Sequence, residues 1–453
     1  MLNKVPTKND FWFLPLGGTG EIGMNVNLYG HNGQWIMIDC GVTFNVPQKQ
    51  EDDINENAKR FPVMTADFSF ITNRPSSLSA LVLTHAHEDH IGAVIAMWPQ
   101  LKCQIYATKF TAEVLRRKLY RAGIDLDLPI TEVEPGWILD IGPFTLQWIE
   151  ITHSIPESNA LLITTPVSKV LHTGDWKIDD TPVVGTAFNR PFFKELVSEK
   201  IDVVVCDSTN ALKDGYSLSE KACEKGLGTY ISQASGRVVV TCFASNIARL
   251  VSIAKIAQAS GRYICVLGPA IENMISIARY AGYWPSDISI TPRRHIGYLP
   301  KHEVLIIASG SQGEPKASMT RLAKDEHRDC ELDEGDTVIF SSIVIPGNEK
   351  PIKTLIDLLE KRKIRVVDSN NAEHTIHASG HPNREDLTDL FNSVRPKCVV
   401  PVHGEPRHLK ACAEQAKLTQ IPHQLTALNG DLYSFSPKFA IFKKAISAGR
   451  TPL

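Results

Sequence analysis

Residues 78–93 read LSALVLTHAHEDHIGA, and this stretch decides the fold. LSALVL is an apolar run of the kind that forms a buried parallel strand, and AVIAMW, after Gly92, has helical periodicity. His85, His87, Asp89 and His90 therefore fall on a strand-to-helix loop, where side chains converge beyond the carboxyl end of the sheet. The alternate residues His85 and His87 point into one pocket. Asp89 and His90 sit on the first helical turn and face a second point a few ångströms away. A lone histidine on an apolar face is usually a core residue, but HxHxDH is a ligand set for two metal ions. Nitrogen and carboxylate donors suit zinc, and manganese or iron can occupy similar sets.

The chain has 453 residues, 43% hydrophobic and 22% charged, enough for a large core and two or more globular units. Its composition is that of a soluble enzyme. It has no run of 18 apolar residues, and MLNKVPTKND has neither a basic n-region nor an apolar h-region, so a cytoplasmic protein without a membrane partner is expected. Nine cysteines without a CxxC pair argue against a disulfide framework or a cysteine zinc site and read as buried, reduced thiols. The net charge of −2 gives no global attraction to nucleic acid, so polyanion binding must come from local fields. Basic clusters occur at Arg116, Arg117, Lys118 and Arg121, at Arg293, Arg294, Lys301 and His302, and at Lys443, Lys444 and Arg450. Each by itself reads as a solvated face.

Up to about residue 70, FWFLPLGG, MNVNLYG and QWIMIDCG read as a β-meander. GTGEIG, with Gly18, Gly20 and Gly23 and a following Asp39, fits the dinucleotide fingerprint GxGxxG. That fingerprint needs a helix right after the glycines, whereas MNVNLYG alternates with period two and reads as a strand. The glycines are expected instead to form a tight loop on the rim of the metal pocket. Strands and helices alternate from 79 to 207, including a helix near 110–122 and the strands FTLQWIEIT, ALLITT and KVLHTGD. From about 210 to 370 the strands RVVVTCF, YICVLG, EVLIIAS, TVIFSSIVI and IRVVD, separated by helix-like segments, read as a second, parallel α/β layer. Histidine-rich motifs then return: HTIHASGHP, a helix near 383–394, and KCVVPVHGEPRH. The simplest architecture is one domain interrupted by another, with the site between them.

His153 and Asp175 each lie just past an apolar strand, where they would meet the first cluster, and His403 follows another such run. One metal is thus expected on His85, His87 and His153, another on Asp89, His90 and His403, with Asp175 bridging. Two such ions, about 3.5–4 Å apart, lower the pKa of a bridging water toward roughly 7 and neutralise charge on a phosphoryl oxygen. Phosphodiester hydrolysis is the chemistry they favour.

The chain resembles the metallo-β-lactamase fold hydrolases and, within them, the ribonuclease J-like β-CASP nucleases. The resemblance rests on GGTGEIGMN, LTHAHEDHIGA, HSIPES, HTGDWKID, DSTNA, ASGSQGEP, IPGNE, HASGH and PVHGEPRHL, in family order over nearly the whole chain. It implies an α/β protein, a metallo-β-lactamase αββα sandwich formed by residues 1–209 and 371–453, with a β-CASP parallel α/β domain inserted at 210–370. It also implies two Zn²⁺ per chain, with Mn²⁺ as an alternative, and catalytic roles for Asp89, Asp175, Asp207 and His381. Asp207 would hydrogen-bond His381, which would stabilise the scissile phosphate or protonate the leaving oxygen. The bland reading of His381 is a cap for the helix after Pro382. The implied activity is 5′→3′ degradation of RNA from a 5′-monophosphate end, with internal cleavage as well, in RNA processing and decay.

Substrate contacts are implied at Ser309 and Ser311, on a loop expected to run from a strand into a helix N-terminus that cradles an anion, closed by His377 and Ser379. Ser245 and Asn246 are helix N-caps by default and RNA contacts by resemblance. Family members commonly carry a further C-terminal domain, whereas this chain ends about 20 residues past NGDLYSFSP, which is expected to weaken a homodimer and the grip on RNA. Membership of an RNA-degradation complex is a further implication. Three other functions compete: a thioesterase or lactonase, a nuclease preferring DNA, and a noncatalytic RNA-binding scaffold. The 160-residue insertion counts against the first and the intact ligand set against the last.

Overall fold

A computed structural model describes residues 4–44 and 63–453. Residues 1–3 of the N-terminal stretch, and residues 45–62 of the segment read as a meander, lie outside the described residues.

The meander forms: Phe11–Gly17, Val26–His31 and Gln34–Ile38 pair antiparallel in sequence. Leu78–Val82 then adds parallel to Gln34–Ile38, followed by parallel Gln104–Thr108 and Ile130–Val133. Leu432–Ser436 and Ala440–Phe442 complete an eight-stranded sheet on the other side of Phe11–Gly17. A seven-stranded sheet runs His423–Gln424, Cys398–Val402, Val203–Asp207, Lys169–His172, Asn159–Thr164, Phe144–Glu150, Ile138–Ile141. A small sheet of Arg450–Pro452, Val63–Ala66 and Thr43–Phe44 was not legible in the sequence.

Period-two alternation divides each strand between two cores. Ala80 and Val82 pack with Phe11, Phe13, Trp148, Val203 and Val400 between the two large sheets. Leu81 and Leu83 face the other way, with Met97, Phe110 and Leu115 from the helices Val94–Leu101 and Lys109–Ala122. Val204 and Val399 face Leu387, Phe391 and Cys412 on the helices Arg384–Val394 and Pro406–Leu418. The result is a four-layer αββα sandwich.

Residues 238–367 build a separate five-stranded, all-parallel sheet in the order Tyr263–Leu267, Val304–Ala308, Val238–Thr241, Thr337–Phe340, Arg365–Val367. TVIFSSIVI is shorter as a strand than read: pairing stops at Phe340, and the Ser341 side chain turns to the Ile376 carbonyl. The basic helix 109–122 keeps Arg116 and Arg121 exposed, yet it also contacts the inserted layer. Arg117 reaches Ser276 Oγ at 3.0 Å, Arg121 reaches the Pro269 carbonyl at 3.1 Å, and Lys109 lies over the Tyr280 ring, so it braces the inserted layer. All nine cysteines are free and buried. Among the described residues no helix is long and apolar enough to cross a membrane.

Candidate metal centre

Parallel pairing places the ends of Leu78–Val82, Lys169–His172, Val203–Asp207 and Cys398–Val402 along one edge of the sandwich. The loops that leave this edge bring seven expected ligands into two groups. In the first, His87 Nδ1 lies 3.1 Å from both His85 Nε2 and His153 Nε2, and each of those Nε2 atoms lies 3.8 Å from Asp175 Oδ2. In the second, His90 Nε2 lies 3.1 Å from the same Asp175 Oδ2 and 3.7 Å from Asp89 Oδ2, which lies 3.3 Å from His403 Nε2. Asp175 Oδ2 belongs to both groups.

Neighbouring groups set the tautomers. Thr84 Oγ1 donates to Asp39 at 2.8 Å and therefore accepts from His85 Nδ1 at 3.0 Å. His90 Nδ1 donates to Asp39 Oδ2 at 2.7 Å, and His153 Nδ1 donates to the Gly380 carbonyl at 2.6 Å. Each of these bonds turns an Nε2 into the site, an arrangement usual for metal-binding histidine. A Cβ on Gly380 would lie 2.5 Å from His153 Cε1, so only glycine allows that approach.

Burial, with the neighbouring imidazoles, pushes His85 and His153 well below the usual histidine range and His87 to about 4. Three neutral rings then converge through His85 Nε2, His87 Nδ1 and His153 Nε2. Burial also works against charge on His90 and His403, but Asp175 with its neighbouring carboxylates outweighs it and raises His90 and brings His403 to about 10. Protons thus balance these carboxylates, and a divalent cation would replace them. His403 Nδ1 donates to Asp175 Oδ1 at 2.9 Å, and its Nε2 is buried with Asp89 Oδ2 as its near neighbour at 3.3 Å. The converging ring nitrogens, the carboxylates that face them and the shared carboxylate oxygen together fit metal ions.

Both Asp39 and His403 hold left-handed backbone, φ +64° and +52°, uncommon away from glycine and typical of constrained functional positions. The GTGEIG segment does form the expected rim loop, and a strand follows it. The Gly18 carbonyl accepts from His403 N at 2.6 Å, Asn25 N donates to the Asp89 carbonyl at 2.8 Å, and a Cβ on Gly18 would meet Asn25 Oδ1 at 2.3 Å.

His381 adjoins the cluster, its Nδ1 2.7 Å from Asp207 Oδ2 and 3.9 Å from Asp175 Oδ2. Burial lowers its pKa, but Asp207 and Asp175 reverse the sign, so the ring is held above the usual histidine range. His381 does not cap the following helix. Asn383 does, in a capping box with Asp386.

The remaining expected contacts lie outside the two ligand groups. Ser309 does lie at the N-terminus of a helix, the short Ser318–Ala323, but its own groups occupy the helix donors: its carbonyl accepts from Met319 N at 2.9 Å and its hydroxyl from Ser318 N at 3.5 Å, while Glu314 Oε2 accepts from Gln312 N at 3.0 Å. No hydrogen bond among the described residues joins Ser309 or Ser311 to His377 or Ser379. Ser379 Oγ accepts from Asn210 Nδ2 at 2.8 Å, whereas His377 Nδ1 is buried without a partner. Asn246 is a helix cap, accepting from Arg249 N at 2.9 Å and donating to Glu220 Oε1 at 3.2 Å; Ser245 precedes it at the same carboxyl edge of the five-stranded sheet. Asp39 and Arg249 were missed. Asp39 ends the apolar run QWIMI beside the strand carrying the histidines, a signal readable once the parallel pairing is known.

An αββα sandwich with this centre on its edge, under an inserted parallel layer, defines a metallo-β-lactamase fold hydrolase with a β-CASP domain. Residues 20–182 match the metallo-beta-lactamase superfamily, 235–359 the Ribonuclease J beta-CASP domain, and 371–425 the Zn-dependent metallo-hydrolase RNA specificity domain. The chain is 40% identical over 429 residues to Ribonuclease J of Sinorhizobium meliloti, covering 94% of this chain and 74% of that one. It is 36% identical over 441 residues to Ribonuclease J of Mycolicibacterium smegmatis, covering 96% and 76%. The chain belongs to the ribonuclease J family. A crystal structure of a protein of unknown function from Enterococcus faecalis V583 shares the fold at 16% identity, with a TM-score of 0.63 over 94% of this chain and 100% of that one.

Proposed function

We infer that this protein is a metal-dependent ribonuclease that hydrolyses RNA phosphodiesters in RNA processing. The observation that carries the reading is the pair of buried donor groups sharing Asp175 Oδ2, with the His381–Asp207 pair beside them. His85, His87 and His153 would hold one ion, and Asp89, His90 and His403 the other, with Asp175 common to both. Two divalent ions bound there would supply an activated water and neutralise phosphoryl charge. Zinc suits the donor set, and manganese is the alternative.

The protein's own groups do the rest. Asp207 fixes the proton on His381 Nδ1, so Nε2 presents the second N–H to the phosphate or the leaving 3′ oxygen. The rim loop 18–25 and the inserted domain close the site from two sides. Residues 1–209 and 371–453 act as one domain and 210–370 as the other. Cleavage runs 5′→3′ from a monophosphate end, with internal cuts as a second mode, in the cytoplasm, where buried free thiols stay reduced. Neither a small-molecule hydrolase nor a scaffold is favoured by the match to an RNA specificity domain at 371–425.

The test is digestion of one RNA bearing a 5′-monophosphate, triphosphate or hydroxyl, beside its DNA equivalent, with Asp175→Ala and chelated protein as controls. Mononucleotides released first from the monophosphate RNA, lost on chelation and restored by zinc or manganese, are expected. Internal fragments regardless of the 5′ group would replace the exonuclease reading, and equal cleavage of DNA would remove the RNA preference. A homodimer or a larger degradation complex is tested by mass in solution and by co-purification.

A further inference from the structure

The segment Ile376–His381 is held at both ends by different domains. At one end the Gly380 carbonyl accepts from His153 Nδ1 at 2.6 Å, and His381 Nδ1 meets Asp207 at 2.7 Å. At the other end the Ile376 carbonyl accepts from Arg249 Nη1 at 3.0 Å and from Ser341 Oγ at 2.7 Å. Arg249 and Ser341 belong to the five-stranded domain.

Arg249 is fully buried. Its Nε and Nη2 fork the Glu220 carboxylate at 2.9 and 3.1 Å, while Nη1 also donates to the Ser341 carbonyl at 2.9 Å and hydroxyl at 2.6 Å. Glu220 N donates to Asp179 Oδ2 at 3.2 Å, and Asp179 pairs with buried Lys177 at 3.3 Å, two residues beyond Asp175. A buried guanidinium needs only a carboxylate to balance its charge. This one also fixes, through Nη1, a carbonyl on the segment that orients His153 and carries His381 while Nε and Nη2 hold Glu220, a division of donors that lysine cannot reproduce.

We propose that Arg249 is a positioning residue for hydrolysis: from inside the inserted domain it sets the Ile376–His381 segment, and through it the orientation of His153 and the place of His381. The proposal rests on the ribonuclease reading. A misplacement of about 1 Å at a reacting group can cost about 10²-fold in rate. Arg249→Lys keeps the charge and loses the fork. Ser341→Ala removes only the hydroxyl that bridges Arg249 and Ile376.

The experiment measures kcat and KM on 5′-monophosphate RNA for the full-length zinc-loaded wild type, both variants and the double variant, with amide hydrogen exchange of the 374–381 peptide on the same samples. Arg249→Lys is expected to lower kcat about 10²-fold with KM nearly unchanged. Ser341→Ala should lower it less, and the double variant should be no worse than Arg249→Lys, because both act through one carbonyl. Exchange at 374–381 should rise while the 398–402 strand stays protected. Unchanged exchange at 374–381, or kcat falling only with the folded fraction, would overturn the proposal. A wild type that cleaves no RNA overturns the ribonuclease reading instead, and the exchange data then still judge whether Arg249 holds the segment.

Discussion

Asp39 Oδ2 accepts the His90 Nδ1 proton at 2.7 Å, with both side chains buried, and the same carboxylate accepts from Thr84 N and Oγ1 at 2.8 Å. One carboxylate therefore orients a histidine in the second ligand group directly and His85, in the first, through a hydroxyl. It also lies at the carboxyl end of a strand paired to the histidine strand, so the sheet itself fixes its distance from the site.

Asp39→Ala should weaken divalent metal binding by about 10–100-fold, the usual cost of losing an outer-shell partner. Zinc titration against a chelator of known affinity reads this directly in the absence of RNA. Equal metal affinity in the variant and the wild type would show that His85 and His90 hold their tautomers without Asp39.

His381 and Asp207 separate proton delivery from metal binding. His381→Gln is expected to lower kcat by about 10²–10⁴-fold, the range for loss of a general acid, with bound metal unchanged. Asp207→Asn keeps the ring in place but weakens its hold on the proton, so it should fall between the variant and the wild type. Loss of metal from His381→Gln would reassign that residue to the ligand set.

Much of the site was legible because its ligands follow apolar strands, and a strand's carboxyl end is a readable place. His85, His87, Asp89, His90, His153, Asp175 and His403 share that position, and the structure brings all seven together. Asp39 shares it too but sits 51 residues from His90, and its role depends on a strand pairing that a local pattern does not encode. GTGEIG was separated from a nucleotide loop by the period-two strand after it. The loop at 309–313 was less legible, because Ser-Gly turns look alike whether their amides meet an anion or, as at Gln312, a side chain two residues on. The charges on helix 109–122 read as a solvated face, and their partners, Glu88, Glu132 and Ser276, were not legible because they come from other elements.

Glu220 makes part of the stability depend on acid. Burial alone would raise its pKa, but Arg249 and Lys177 hold it below its ordinary value of 4.5. The unfolded chain therefore takes up this proton first as pH falls. The stabilisation is complete above about 4.5 and is lost as pH drops through the lowered value. Glu220→Gln should cost about 3–5 kcal/mol near neutral pH, since it leaves the Arg249 charge buried and unpaired, and the difference from wild type should shrink in acid. Denaturant unfolding at pH 7 and pH 4 checks both statements; a constant difference would rule out the linkage.

The family resemblance implies that His377 helps to read the 5′ end, and the state of its ring makes that testable. Its Nδ1 is buried and unbonded, and burial, reinforced by Arg249, pushes the ring to about 4, so near neutral pH it offers a neutral hydrogen-bonding group and no charge. A bond from such a group to a phosphate oxygen is worth roughly 1.5–3 kcal/mol, so His377→Ala should reduce the preference for a monophosphate over a hydroxyl end by about 10–100-fold. Cleavage of hydroxyl-ended RNA should hardly change. Ser379→Ala makes the contrast, because its hydroxyl already accepts from Asn210 at 2.8 Å and from His381 N at 3.3 Å. Its loss should slow all three RNAs alike by loosening the segment that carries His381. If His377→Ala also slows them alike, the 5′ phosphate is held elsewhere and His377 serves the segment too.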